Sequence, residues 1–456
     1  EERKQFFFEK KNQKTFIRLR ARRLSEQKFF VSFFQKRIFP CFVRNGTLQD
    51  GINMMAFRKL AGAAVVLALV AGATARAEEM RPALGKPLAA AGAALRAGRY
   101  AQAMAAVRQA DAVPGKTAHE SFVIDEMRAA IAEKSGDMAA ASGAYQRMLA
   151  SGEVGGAQAV RIYQAEASLA YRANNYASAV TWLEKYFKAG GNAAEMRTLQ
   201  IQALYLSKNF VEAGKLQAQV VAAQTRAGHT PAENELLLLY NCQKGSGDNT
   251  GALNTIKELV LYYGKPDYWR NVIDTLRAKQ GFSDRMLLDV YRLEFSLDLV
   301  NSPTDAMEYA ELAVQAGLAG EAKNVVDKSY AGGLLGTGPD APREARLKAL
   351  VDKTYATTLA GLGKQDADAA TDRDGNRLLA LGETYVSFGK FDQGIPMIKE
   401  AIAKDDLRHP EDAKLQLGIA YLNSGDKKDA INTLRTVHGA DGTMDVAQLW
   451  LLHIGK

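Results

Sequence analysis

The sequence predicts an all-α protein assembled from pairs of helices, and three observations carry that expectation. Two windows near the carboxyl end, "LALGETYVSFGKFDQGIPMIKEA" (379–401) and "LQLGIAYLNSGDKKDAINTLRTV" (415–437), align at an offset of 36 residues. Short turn signals recur upstream at nearly the same interval. No stretch shows the apolar/polar alternation of a half-buried strand.

The repeat itself has a packing logic. Leu379/Leu415, Leu381/Leu417, Gly382/Gly418, Tyr385/Tyr421, Gly389/Gly425 and Ile395/Ile431 coincide, and Gly394 and Ala430 are both small. Leu381 and Tyr385, four apart, lie on one face of a first helix. The glycine that follows can adopt the left-handed conformation that stops a helix. The small residue five positions later, on the second helix, permits close approach of the pair. Pro396 is tolerable in that second helix if the helix begins near Asp392, because the first amides of a helix have no internal partner.

Weaker copies turn at "AGRYAQA" (97–103), "SGDMAAA" (135–141), "ANNYASA" (173–179), "SKNFVEA" (207–213) and "SGDNTGA" (246–252), spaced by 38, 38, 34 and 39 residues, with a further turn at Gly317 in "AGLAGEA". A two-helix unit cannot bury its apolar face alone and must stack on neighbours. In these features the chain resembles the tetratricopeptide-repeat (TPR) family in its exported, bacterial form. The resemblance implies a right-handed α-solenoid of helix-turn-helix units, roughly twenty helices in all, and a role in protein interaction. The amino-terminal copies depart from the pattern by carrying Ala where the Leu-Gly pair should be.

Three repeat regions are expected. Residues 78–254 hold the amino-terminal copies and 376–456 the carboxyl-terminal ones. Between them, 255–375 is irregular: 255–300 is helical and aromatic-rich, and 340–375 holds a long helix followed by the acidic loop "DADAATDRDGN".

Ahead of the repeats stands a segment that reads like the start of a protein. Arg58 and Lys59 precede the apolar run Leu60–Ala73, and Ala75-Arg76-Ala77 supplies a small-x-small cleavage signal. This is the pattern of a secretory signal peptide (54–77), with cleavage after Ala77. Its apolar run is too short to cross a bilayer, so no stable membrane anchor is expected after cleavage. Residues 1–53 differ in composition: ten of the chain's 18 Phe, no Tyr, and only Ala21 among alanines. They read as a translated upstream region outside the fold. The expected product is periplasmic or secreted and begins at Glu78. Amino-terminal sequencing of the native protein should return Glu78 first, and any residue from 1–53 in the mature chain would refute this.

Moving the start changes what the charge means. The whole chain carries a formal net charge of +8, and residues 1–53, with 13 basic and 5 acidic residues, account for all of it. Residues 78–456 hold 43 basic and 46 acidic residues, without a block of five like charges. Nucleic-acid binding therefore has no electrostatic footprint.

Tests for chemistry also return little. Cys242 is alone in the mature chain, so no intramolecular disulfide is available, and the five His fall at no metal-ligand spacing. If Gly375 of "DRDG" were the invariant glycine of a calcium loop, its first and last ligands would be Ala370 and Leu381, which cannot serve. "PGKT" (114–117) lacks the earlier glycine of a phosphate loop, having Ala110 there. No cofactor, metal or catalytic residue is expected. The leading expectation is a non-enzymatic periplasmic adaptor or scaffold, serving envelope assembly or export, whose concave groove holds another protein or an extended peptide. The alternative is an envelope enzyme or its regulatory subunit, acting on polysaccharide or peptidoglycan, with paired carboxylates within 255–375.

One window stands out as a candidate partner surface. Residues 262–295 contain seven aromatics in 34 positions, while 78–456 holds 27 in 379. Interfaces favour Trp, Tyr and Arg, and arginines are interleaved with the rings here. The candidate residues are Tyr268, Trp269, Arg270, Arg285, Tyr291 and Arg292. The competing reading is that an irregular unit packs its stack with larger side chains, which would make Trp269 and Tyr291 core.

Overall fold

A computed structural model describes residues 80–369 and 374–455. The expected signal peptide, the upstream segment 1–53 and part of the acidic loop lie outside the described residues. Twenty α-helices and one short 3-10 turn form the described chain, with no strand among them. The all-α solenoid of helical repeats expected from the sequence is what these helices build.

The chain divides into two compact units, meeting between Leu216 and Gln217. The break falls inside the helix Phe210–Arg226.

The first unit contains α1 (Pro82–Arg96), α2 (Tyr100–Asp111), α3 (Ala118–Ser135), α4 (Met138–Ala150), α5 (Gly156–Arg172), α6 (Tyr176–Lys188) and α7 (Ala194–Leu206), and α8 (Phe210–Arg226) spans the break. The second contains α9 (Glu233–Ser246), α10 (Asn249–Tyr263), α11 (Pro266–Arg277), α12 (Leu287–Ser296), α13 (Pro303–Gln315), α14 (Ala319–Ala331), α15 (Ala341–Ala369), α16 (Gly375–Ser387), α17 (Phe391–Ala403), α18 (Pro410–Ser424), α19 (Lys427–Leu434) and α20 (Thr443–Ile454). Helix α15 continues to Ala369, so the stretch read from sequence as the start of an acidic loop is its last turn.

The expected turns are real, and their chemistry is local. At each the chain passes through a left-handed residue: Gly98, Gly136, Asn174, Lys208, Gly247, Gly317, Gly389 and Gly425. Where the sequence reads Ser-Gly-Asp, the glycine stops one helix and the aspartate caps the next. Asp137 accepts from the Ala140 amide, Asp248 from Gly251 and Asp426 from Asp429. Two residues thus satisfy both helix ends, so successive helices become antiparallel neighbours. Asn175 does the same after Asn174.

The small residues of the repeat work by contact. A Cβ on Gly394 would sit 2.5 Å from the Gly382 carbonyl oxygen, and one on Gly382 would sit 2.8 Å from Ile398. Helices α16 and α17 touch backbone to backbone there, as the sequence pattern requires. Helix α17 begins at Phe391, one residue before the expected start. Pro396 therefore lies in its second turn and forgoes the hydrogen bond its amide would have donated to the Asp392 carbonyl.

Cores are apolar and local in both units. In the first, Leu84, Ala91, Val107 and Ile131 form one cluster and Phe122, Ala144, Met148 and Ile162 another. In the second, Tyr291, Met307, Tyr309, Val325 and Val351 pack together. Ending the chain after Lys404 strips α18, α19 and α20 from the second unit, removing the cover of α17 and the helix against which Trp269 rests through His453. The fragment 78–404 should bind an apolar dye strongly and scatter light as aggregates. A monodisperse, dye-silent fragment would instead place a domain boundary near 404.

Candidate interaction surfaces

The window 262–295 supplies α11, the turn after it and α12, all in the second unit. Pro266 opens α11 at its first position, where its missing amide costs nothing. This puts Tyr268, Trp269, Val272, Ile273 and Leu276 on the helix's buried side. Trp269 is 2% exposed, and its ring meets His453 of α20 edge to face at 6.3 Å. Tyr268 is equally buried and bonds Glu233 through its hydroxyl. Arg270 stays near the surface, 3.8 Å from Asp267.

Of the remaining candidates, Tyr291 and Arg292 turn inward and Arg285 stays at the surface. Tyr291 is buried and stacks on Tyr309 with ring centroids 5.8 Å apart, beneath the Arg277 guanidinium. Arg285 pairs with Asp412 at 2.6 Å and with Asp441. Arg292 donates to both oxygens of Glu321 at 2.8 Å and to Asp289 at 2.7 Å, and it also reaches Gln416. The expected partner surface is therefore corrected for Tyr268, Trp269, Tyr291 and Arg292. These residues are interior: Trp269 meets α20 and Arg292 reaches Gln416 of α18, while Tyr268 bonds Glu233 of α9 and Tyr291 packs on Tyr309 of α13. Large side chains in an irregular unit fill its core, which is the simpler of the two sequence readings.

A polar cluster within this unit carries no recognisable signal in the sequence. Asp289, Arg292, Tyr309, Glu321 and Gln416 come from α12, α13, α14 and α18. Gln416 donates to Asp289 at 2.6 Å and the Tyr309 hydroxyl to Glu321 at 2.8 Å. Burial works against the Arg292 charge, yet Glu321 and Asp289 hold its pKa well above the ordinary arginine value. Burial raises the Asp289 carboxyl despite Arg292. Glu383 of α16, half-buried beside this group, is pushed up by burial to about 7, with Arg292 opposing and Asp289 and Glu321 adding. A second group lies between α11, α12 and α13. Arg277 donates to Glu294 at 3.0 Å, and burial raises Glu294 to about 7.

These groups are built as structural pairs. Asp289, Glu294 and Glu321, from the region where paired catalytic carboxylates were sought, each neutralise an arginine. Cys242 is wholly buried, and burial pushes its thiol up to about 12, far from a reactive thiolate. No group of three potential metal ligands converges among the described residues. An open cavity of about 330 Å³ is lined by Lys257, Gln448, Leu451 and Leu452.

Comparison with known proteins agrees with the fold. The family model for the tetratricopeptide repeat matches residues 164–227 and 379–441. Among solved structures, a tetratricopeptide repeat protein from Parabacteroides merdae ATCC 43184 is similar at 11% identity, covering 74% of this chain and 98% of its own, with a TM-score of 0.28. Yeast Tom70 is similar at 12% identity, 81% and 95% coverage and a TM-score of 0.23. Naa15/Naa10 bound to HypK-THB gives 13% identity, 82% and 67% coverage and a TM-score of 0.30. No curated protein sequence matches the chain. The chain is an all-α helical-repeat protein whose residues 164–227 and 379–441 are similar to the tetratricopeptide-repeat family model.

Proposed function

We propose that the protein is an exported, non-enzymatic interaction scaffold of the periplasm, holding another protein or an extended peptide and serving envelope assembly or export. The observation that carries this is the architecture. Stacked helix pairs, closed by a left-handed residue at each of eight turns, create long side-chain surfaces and bury their polar groups in pairs. The family match at 164–227 and 379–441 supports a protein-binding role. For location, the support is the apolar run Leu60–Ala73 and its Ala75-Arg76-Ala77 cleavage signal. No helix among the described residues is long and apolar enough to cross a membrane.

The mature chain, cross-linked in living cells, should trap the same envelope protein in repeated preparations. A chain lacking 54–77 should stay in the cytoplasm and trap none. Recovery of the mature protein only from cytoplasm would overturn the assignment.

A further inference from the structure

Helix α15 breaks the rhythm of the repeat. The left-handed turns at Gly317 and Gly389 lie two 36-residue intervals apart, which leaves room for one more helix pair turning near Lys353. No such turn forms. Residues 345–360, "ARLKALVDKTYATTLA", contain no glycine or proline to stop a helix, and α15 runs through them unbroken for 29 residues in all. The pairs on either side, α13/α14 and α16/α17, each pack two helices against one another. The unit between them has one helix where its neighbours have two.

The two sides of α15 differ in burial and in charge. Leu347, Val351 and Leu362 are buried on the side turned to α13, α14 and α16. The other side is bare from Pro342 to Lys364, about 34 Å of helix. Leu350 and Leu359 stand at its two edges, 51% and 41% exposed, and positions between them hold short side chains such as Ala356 and Ala360. Arg346, Lys353 and Lys364 follow one another along this side, spaced by two and three helical turns, and all three are exposed. Arg343 is drawn aside to Glu311 at 3.4 Å, whereas these three have no ion-pair partner among the described residues. No exposed residue between Ala341 and Lys364 is acidic. The bare side is a strip of one sign.

We propose that this side of α15 docks an acidic amphipathic helix of a partner protein, which supplies the second helix that the unit lacks. Large apolar side chains of the incoming helix lie over the alanines between Leu350 and Leu359, and its carboxylates meet Arg346, Lys353 and Lys364. The sign of the charge argues against two nearer occupants. A second copy would bring the same basic row against this one, and residues 1–53 carry a net +8 of their own. An anionic membrane would attract the cations, but a helix that beds into lipid presents large apolar side chains along its middle, where α15 has Ala356, Thr357 and Ala360. That a partner exists rests on the scaffold reading; where it docks and what charge it carries follow from α15.

The probe is a synthetic fluorescent helix of about 28 residues, four heptads with Leu at the two core positions and Glu at the positions flanking them, titrated against the mature chain. It should bind the wild type at low salt and weaken as salt is raised. For Arg346→Glu/Lys353→Glu, whose substitutions are exposed and leave the core untouched, affinity should fall at least about tenfold. A peptide with Lys in place of each Glu should reverse the preference, binding the double variant and not the wild type. Leu350→Asp, a separate variant on the edge of the face, should also weaken the acidic peptide. The inference is overturned if the acidic peptide does not bind the wild type, or if either peptide binds wild type and double variant equally. Two other results would also overturn it by naming another occupant. Sedimentation of the wild type with phosphatidylglycerol vesicles, abolished in the double variant, would give the face to a membrane, and a dimer lost in Leu350→Asp would give it to a second copy. Cross-linking in cells separates this inference from the scaffold reading. If the double variant traps the same envelope protein as the wild type, the scaffold stands and the α15 assignment falls. If the wild type traps none, the scaffold reading falls and the peptide titration alone judges α15.

Discussion

Trp269→Ala lowers the unfolding free energy of the second unit by about 3–5 kcal/mol, the usual loss for truncating a large buried aromatic. The side chain is 2% exposed, and its ring borders His453, which in turn packs against Trp450. Removing the indole opens a void between α11 and α20 that rigid helices cannot close. Denaturant unfolding followed by far-ultraviolet circular dichroism would register the loss. The two units can unfold separately, so the transition belonging to 217–455 must be resolved from that of 80–216. A variant as stable as the wild type that had lost its partner would instead make Trp269 a surface anchor, against its burial. Trp269→Phe should recover much of the loss, because it restores most of the volume.

The repeat and its turns were legible because they are local. A left-handed residue, a capping aspartate and a small residue at a fixed distance act within one helix pair, and a single sequence displays them. The turns at Asn174 and Lys208 show the limit of reading glycine alone, since side chains other than hydrogen occupy the same left-handed slot there. Aromatic density was legible too, but its meaning was not. A run rich in Tyr, Trp and Arg has the composition of an interface whether its partner is another protein or the same chain returning. Only tertiary packing decides between these: α20 covers Trp269, in a seam whose contacts span more than 150 residues, and Tyr309 of α13 covers Tyr291. The polar cluster around Arg292 was hidden for the same reason. Asp289 and Arg292 are neighbours on one helix, but Glu321, Gln416 and Glu383 are scattered along the sequence without a spacing rule.

That cluster yields the other large effect. Arg292→Met keeps the length of the side chain and removes its charge, leaving Asp289 and Glu321 buried without their cation. Breaking a buried ion pair from one side costs about 3–5 kcal/mol, more than its net contribution, because the remaining charge keeps its desolvation penalty. The pH dependence separates this from a simple packing defect. In the wild type, burial holds Glu294 and Glu383 at about 7, above the ordinary carboxylate value near 4.5, so the folded chain binds more protons than the unfolded one between those limits. Stability from these groups is complete below about pH 4.5 and is lost as pH rises through about 7. Glu120 and Asp441 have the opposite sign. Hydrogen bonds, from Arg81 to Glu120 and from Thr443 to Asp441, hold them at about 2, so their contribution disappears as pH falls from about 4 to 2. The wild type should therefore be most stable near pH 5. Glu383→Gln should flatten the decline between pH 5 and 8, because a neutral amide has no proton to lose. Arg292→Met should steepen it, since Asp289, already raised by burial, then loses the charge that favoured its ionised form. Thermal melts at half-unit steps from pH 4.5 to 8 would check both. A loss in Arg292→Met that is constant across that range would show the arginine to be packing volume and not the counter-charge of the cluster.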